Sequence, residues 1–223
     1  ENIMTKTVDI NIPPLETDNV SIRIVGCAPI VQHKWSEKAK KMMRDKHNGV
    51  KTKTRDVRDP QGEFEAAMYV GKNTGLYGFP ISAMVGCLVN TAHNNMGIAK
   101  NMLSKVIRFT HQDYDLTENV PLILFDKTDD PIMREDPVRV GMGSADLRYR
   151  PQFNNWSAIL EIQLDTTQLP VEQFLKLLQR AGFGVGLQEM RPQKGGDFGT
   201  FDIDMTYGVQ MIKNKVIEIE KAS

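Results

Sequence analysis

The sequence predicts an α+β fold, a βαββαβ core with an antiparallel sheet and long insertions. Two observations predict it. Apolar residues alternate with polar ones in several short stretches and recur at helical spacing in two longer ones, and the core stretches run strand, helix, strand, strand, helix, strand. The segments between them are long, charged and punctuated by Gly, Pro, Asn and Asp, which is the composition of insertions. At 223 residues the chain can bury one core and carry those additions. Residues 1–223 therefore read as a single domain, with a basic inserted segment at 27–75 and an inserted loop and strand segment at 112–150.

The elements follow in order. "TVDINI" (Thr7 to Ile12) alternates and stops at Pro13-Pro14, a short strand ended by two missing donors. In "VSIRIVG" the apolar set Val20, Ile22 and Ile24 shares one face and Ser21 and Arg23 the other. "SEKAKKMMRDK" reads as a helix with Ser36 as N-cap, and "HNGVKTKTRD" as turn and loop. In "GFPISAMVGCLVNTAHNNMG" a helix capped by Ser82 carries Val85, Leu88, Val89 and Ala92 at helical spacing and stops at Gly97, with His93 a solvated residue near its end. "KVIRFT", "VPLILF" and "DPVRVGMG" read as strands, with "DKTDDPIMRED" between the last two as an acidic loop. Its Asp126, Asp129, Asp130, Glu135 and Asp136 lack the spacing of a calcium loop, so no metal is expected there and a counter-surface for a basic partner is. "WSAILEIQL" is a strand with Ile159 and alternate residues on one face. "TTQLPVEQFLKLLQRAG" is a helix with Pro170 in its first turn and Gly182 as its stop, and "FGTFDIDM" is the closing strand.

Composition excludes several classes. The formal charge is zero, so no whole-protein field announces nucleic acid or membrane and any such partner must be met by a local patch. Cys27 and Cys87, the only cysteines, lack CxxC spacing and read as core thiols in a reducing compartment. No apolar run is long enough to span a membrane, which points to a cytoplasmic protein without a membrane partner. The chain begins at Glu1 rather than Met, which points to processing or trimming ahead of it. No cofactor motif is present.

Charge placement is informative. Lys34 to Arg58 holds ten Lys/Arg against three acids. That excess reads either as a solvated helix and loop or as a phosphate-binding segment carried by Lys34, Lys38, Lys40, Lys41, Arg44, Lys51, Lys53 and Arg55. The second feature is "AGFGVGLQEMRPQKGGDFGTFDI", with six glycines between a helix and a strand. Either Gly182, Gly184 and Gly186 are cap and turn residues, or the backbone N–H groups of Gly184, Gly186, Gly195 and Gly196 form a concavity for phosphate, with Arg191 and Lys194 as cations.

The element order is that of ferredoxin-like, or RRM-like, folds. "GFGVGLQEMRPQKGGDFGTF" resembles the glycine-rich loop of the RAMP superfamily, the RNA-binding subunits of CRISPR effector complexes. "YGFPISAMVGCLVNTAH" is similar to the Pro-x-Ser opening of the first helix in that superfamily's backbone subunits, where the helix start lies near the guide RNA. Where many backbone subunits carry a basic residue, "AMVGCLVN" is uncharged, which points to a phage or mobile-element relative. The resemblance implies a protein that binds single-stranded nucleic acid, RNA before DNA, and that homo-oligomerises or joins a larger complex. It also implies phosphate seats at the Ser82 helix start and the glycine loop, supported by Arg148 and Arg150, with Tyr149, Phe153 or Trp156 as stacking surfaces. Two alternatives stand beside it. One is a metal-independent endoribonuclease using His33 or His47 as general base. The other is a phage protein that uses the fold to bind or inhibit a protein through its acidic loop.

Overall fold

The computed structural model describes residues 15–35, 37–50, 57–140 and 144–212. The expected strand at Thr7 to Ile12 and the Ser36 cap lie outside the described residues. Strand β1 (Thr17–Gly26) buries Val20, Ile22 and Ile24 completely, as their alternation requires. It is followed by β2 (Ile30–Val31), helices α1 (Glu37–His47) and α2 (Pro60–Ala66), and β3 (Gly78–Pro80). Helices α3 (Ile81–Met96) and α4 (Lys100–Val106) come next, then β4 (Ile107–Phe109), β5 (Asp113–Tyr114) and β6 (Pro121–Thr128). The chain continues through β7 (Ile132–Val140), β8 (Ser144–Phe153), β9 (Trp156–Asp165), helix α5 (Val171–Gly184), β10 (Phe201–Ile203) and β11 (Val209–Met211).

The main sheet runs β10-β1-β9-β6-β3, with every neighbouring pair antiparallel. Counting β1, β6, β9 and β10 as the four core strands gives the spatial order fourth, first, third, second. With α3 after the first strand and α5 after the third, the core is ferredoxin-like. The two helices pack together, and α5 lies against β10. On β9 the core face is Ala158, Leu160, Ile162 and Leu164, so Ile159 points to the other side, a correction to the expected phase. The sheet's second face is polar. Arg23 sits there between Asp126 at 2.9 Å and Asp204 at 3.2 Å, and donates to Ser157 at 3.0 Å.

Both core helices start differently from expectation, and α5 also stops differently. Pro80 occupies the N-cap of α3 and Ser82 lies inside its first turn, exposed, whereas Gly97 ends it at φ +66° as expected. Thr166 to Leu169 form a turn closed by Asp165, which accepts from Thr167 N and Gln168 Nε2, so α5 begins only after Pro170. Gly182 is a buried helical residue. A Cβ there would sit 2.0 Å from the Phe201 carbonyl oxygen, so glycine is what lets α5 lie directly on β10. Cys87 is buried with its thiol pushed up to about 12 by desolvation, but Cys27 is exposed, against the expectation of two core thiols.

Among the described residues the insertions carry regular elements. The expected acidic loop is the edge of a hairpin, in which β7 pairs β8 from Ile132↔Gln152 to Val140↔Ser144. Only Asp129 to Pro131 link β6 to β7, and Arg134, Glu135 and Asp136, which follow, sit on a two-stranded ribbon. "KVIRFT" likewise splits, its first residues closing α4 before β4 begins. β2 joins β8 to make a three-stranded sheet, and α2 packs on β8.

Candidate nucleic-acid interface

The glycine loop is a knot of internal hydrogen bonds. Gly186 N donates to Ala181 O, Leu187 N to Gly199 O, Gly195 N to Pro192 O, Gly196 N to Arg191 O and Gly199 N to Pro29 O, all between 2.8 and 3.2 Å. Those N–H groups are occupied, which corrects the expectation that Gly186, Gly195 and Gly196 present theirs to phosphate. Gly184 closes α5 and is exposed. The glycines serve chain approach. A Cβ on Gly196 would lie 2.0 Å from Met190 O, and one on Gly199, at φ +68°, 2.0 Å from Leu187 O. Gln188 and Met190 also adopt positive φ, at 63° and 54°. Arg191 braces this turn by donating to Gln188 O at 2.6 Å and to Gln193 Oε1 at 3.3 Å, and Lys194 is exposed.

What the loop touches is more telling. Glu189 bridges Val31 of β2, Gly199 reaches Pro29, and Phe198 lies 4.7 Å beneath the Arg134 guanidinium of β7. β2 is thus the meeting line of the glycine loop, the hairpin and the segment that leads to α1.

That basic segment divides into frame and surface. Lys34 is 6% exposed, and its Nζ donates to Asp115 Oδ2 at 3.0 Å and to Thr117 Oγ1 at 3.0 Å, with the Tyr69 ring 5.4 Å away. It cannot contact a phosphate, a correction to its assignment. Burial raises the Asp115 carboxyl, and the Glu118 N–H and Lys34 ammonium outweigh that, so it titrates below the ordinary carboxylate value. Lys40 donates to Glu37 and Glu118, and Arg44 lies 3.4 Å from Glu37. Lys41 is exposed without an ion-pair partner among the described residues. The Lys38 side chain, and Lys51, Lys53 and Arg55, lie outside the described residues.

Where β2, α1, α2 and β8 meet there is an open cleft of about 330 Å³. His33 and Arg148 face each other in it, Arg148 Nη1 lying 3.3 Å from His33 Nε2. Burial, then Arg148 and Arg150, lowers the His33 pKa below its usual value, so the ring is neutral at pH 7. As the Arg148 guanidinium can only donate, it occupies the Nε2 lone pair that a general base would use. His47 is exposed at the end of α1 and does not line the cleft. Arg150 is buried against Asp136, 3.4 Å away, and is part of the frame rather than a contact. Phe153 and Trp156 are core residues too, Trp156 donating to Ala28 O, whereas Tyr149 lines the cleft.

A chain in the cryo-EM structure of the type III-B Cmr-beta bound to cognate target RNA matches this one at a TM-score of 0.51 and 11% identity, over 89% of this chain. This chain shares that chain's fold. It spans 62% of that larger chain. The crystal structure of Cmr6 from Pyrococcus furiosus matches over 86% of this chain and all of its own, at 10% identity and a TM-score of 0.39. No family model and no curated protein sequence matches.

Within this fold the two insertions, not the sheet face, supply the cleft. Several of its residues escaped the sequence reading, Trp35, Met42, Glu63, Ala67 and Asp146 among them. Trp35 is 53% exposed, Arg58 donates to Glu63 and Asp146, and Met42 is exposed on α1. A lone tryptophan beside a basic run was the available signal for the first. The Arg58 to Asp146 contact, 88 residues apart, had none.

Proposed function

We propose that this protein is a single-stranded nucleic-acid-binding subunit of RAMP type, RNA favoured over single-stranded DNA, acting in the cytoplasm within a homo-oligomer or larger complex. In this reading 1–223 is one RAMP-like domain, and the 27–75 and 112–150 insertions form its contact surface. The observation that supports it is the convergence on β2 of the glycine loop, the β7–β8 hairpin and the basic segment, whose helix α1 contributes Met42 to the Trp35 cleft and carries Lys41 and Arg44 exposed. The type III-B chain that shares the fold was solved with RNA bound, which supports RNA as the first ligand to test. Exposed cations on a helix hold phosphates without reading bases, and an exposed aromatic beside them adds a stacking surface.

Fluorescence anisotropy with single-stranded RNA, single-stranded DNA and duplex RNA across a salt series tests the proposal. Single-stranded RNA should bind tightest, with affinity falling as salt rises. Lys41→Glu with Arg44→Glu should flatten the salt slope by about 0.7 per lost phosphate contact. Absence of binding, or binding indifferent to salt and to both reversals, refutes it.

A further inference from the structure

His33 is held by a contact that only its neutral form can make. β2 runs beside β8 in the register Ile30↔Phe153 and Val31↔Gln152, and Gln32 N donates to Pro151 O, so His33 comes abreast of Arg150. Arg148, two residues along β8 and on the same face, places Nη1 3.3 Å from His33 Nε2. A guanidinium has no acceptor, so Nε2 must offer its lone pair and the ring proton sits on Nδ1. That Nδ1 is buried without a hydrogen-bond partner, as is Nε of Arg150. A proton taken up at Nε2 removes the acceptor and sets an imidazolium against two arginines.

Every element packed around the ring bears on that step. β8 supplies Arg148 and Arg150, which oppose a positive ring, whereas the glycine loop supplies Glu189 and α2 supplies Glu63, which favour one. Arg58 already holds Glu63 at 3.0 Å and Asp146 at 2.6 Å, and Lys34 is tied to Asp115. Burial and the two arginines outweigh the carboxylates, so the ring titrates below its usual value.

We propose that His33 and Arg148 form a proton-operated latch between β2 and the β7–β8 hairpin, closed while the imidazole is neutral and opened when it takes up a proton. Opening frees the Arg148 guanidinium into the cleft and loosens the line along which the glycine loop and the hairpin meet. The folded ring titrates below its unfolded value of about 6.5, so the stability the closed latch contributes is present above that pH and is lost as pH falls through the folded value. The latch needs no nucleic acid and stands or falls apart from that reading.

The test uses the full chain without ligand. In histidine-labelled protein, NMR follows each ring Cε1–H from about pH 8 to about pH 5, the resonance missing from His33→Gln being that of His33. It should titrate below the ordinary histidine value in wild type and move up toward about 6.5 in Arg148→Met. Native-state hydrogen exchange, corrected for the intrinsic rate, reads the amides of Gln32 and Glu189, which bond to Pro151 O and Val31 O across the seam. Their protection should fall with pH in wild type by up to about tenfold per unit, the slope of one proton. It should stay flat in His33→Gln, whose Oε1 accepts from Arg148 at every pH. The latch is overturned by a His33 that titrates at or above the ordinary value, by an Arg148→Met that leaves it unmoved, by flat protection in wild type, or by a His33→Gln that loses protection as wild type does. Where His33→Gln fails to fold, the resonance is assigned through the labelled backbone and the two NMR titrations decide.

Discussion

Lys34→Met tests whether the first residue of the basic run is a structural tie. The substitution keeps the length and packing of the stem but removes an ammonium that donates to both oxygens of Asp115, at 3.2 and 3.0 Å, and to Thr117. Asp115 is fully buried and would be left as a carboxylate held by the N–H groups of Val70, Thr117 and Glu118. Removing one member of a buried pair costs about 3 to 5 kcal/mol, and with those other donors in place the lower end applies. For a domain of this size each kcal/mol lowers Tm by about 2 to 4 °C, so a fall of about 6 to 12 °C is expected at pH 7. The folded carboxyl titrates below its unfolded value of about 3.9, so the stability it contributes is present above that pH and is lost as pH falls through the folded value. The deficit of Lys34→Met should therefore shrink in acid. Calorimetry across pH measures this, and anisotropy on the folded variant should show an unchanged salt slope. A Tm within about 2 °C of wild type at pH 7, or a flattened slope, would refute the assignment of Lys34 to the frame.

Further outcomes follow from the glycines and from Asp113. Gly182→Ala places a Cβ against the Phe201 carbonyl and should destabilise by about 1 to 3 kcal/mol by thermal melting, as overpacked sites do. Gly195→Val meets open space and only the strain of φ +79°, whereas Gly196→Val drives into Met190 O. Thermal melting should therefore fall further for Gly196→Val, and equal losses would contradict the internal-knot account. Asp113 is pushed up by burial but drawn down to about 2 by the N–H groups of Tyr114, Thr74 and Asn73 and the Thr74 hydroxyl. Asp113→Asn should lower Tm at neutral pH, and its difference from wild type should narrow between about pH 4 and pH 2.

The core was legible because its signals are local. Val20, Ile22 and Ile24 announce the face they bury, and Gly97 announces a helix end. The misread parts depend on partners distant in sequence. Lys34 looks like any lysine in a basic run until Asp115 arrives from 81 residues away. Gly182 looks like a helix stop until Phe201 is laid against it. The acidic stretch from Asp126 reads as a loop because the residues that make it a ribbon, Arg148 and Arg150 opposite Asp136 and Arg134, come later in the chain. Tyr149 was singled out and lines the cleft, but Trp35 passed unnoticed because a tryptophan reads as core by default.

The pairing of β1 with β9 bears on how the protein is made. Their partners, from Val25↔Ser157 to Thr17↔Asp165, are separated by more than 130 residues. At about 5 to 20 residues per second of synthesis, β1 is outside the ribosome for roughly 7 to 30 s before its neighbour has been translated. Throughout that interval Val20, Ile22 and Ile24 are an unpaired apolar edge, open to the same strand of another nascent chain. Ser21 and Arg23 interleave with them. In the finished protein Arg23 anchors an ion pair with Asp126 and Asp204, and a charge interleaved with apolar residues is also the kind of gatekeeper that opposes self-association of an unpaired strand.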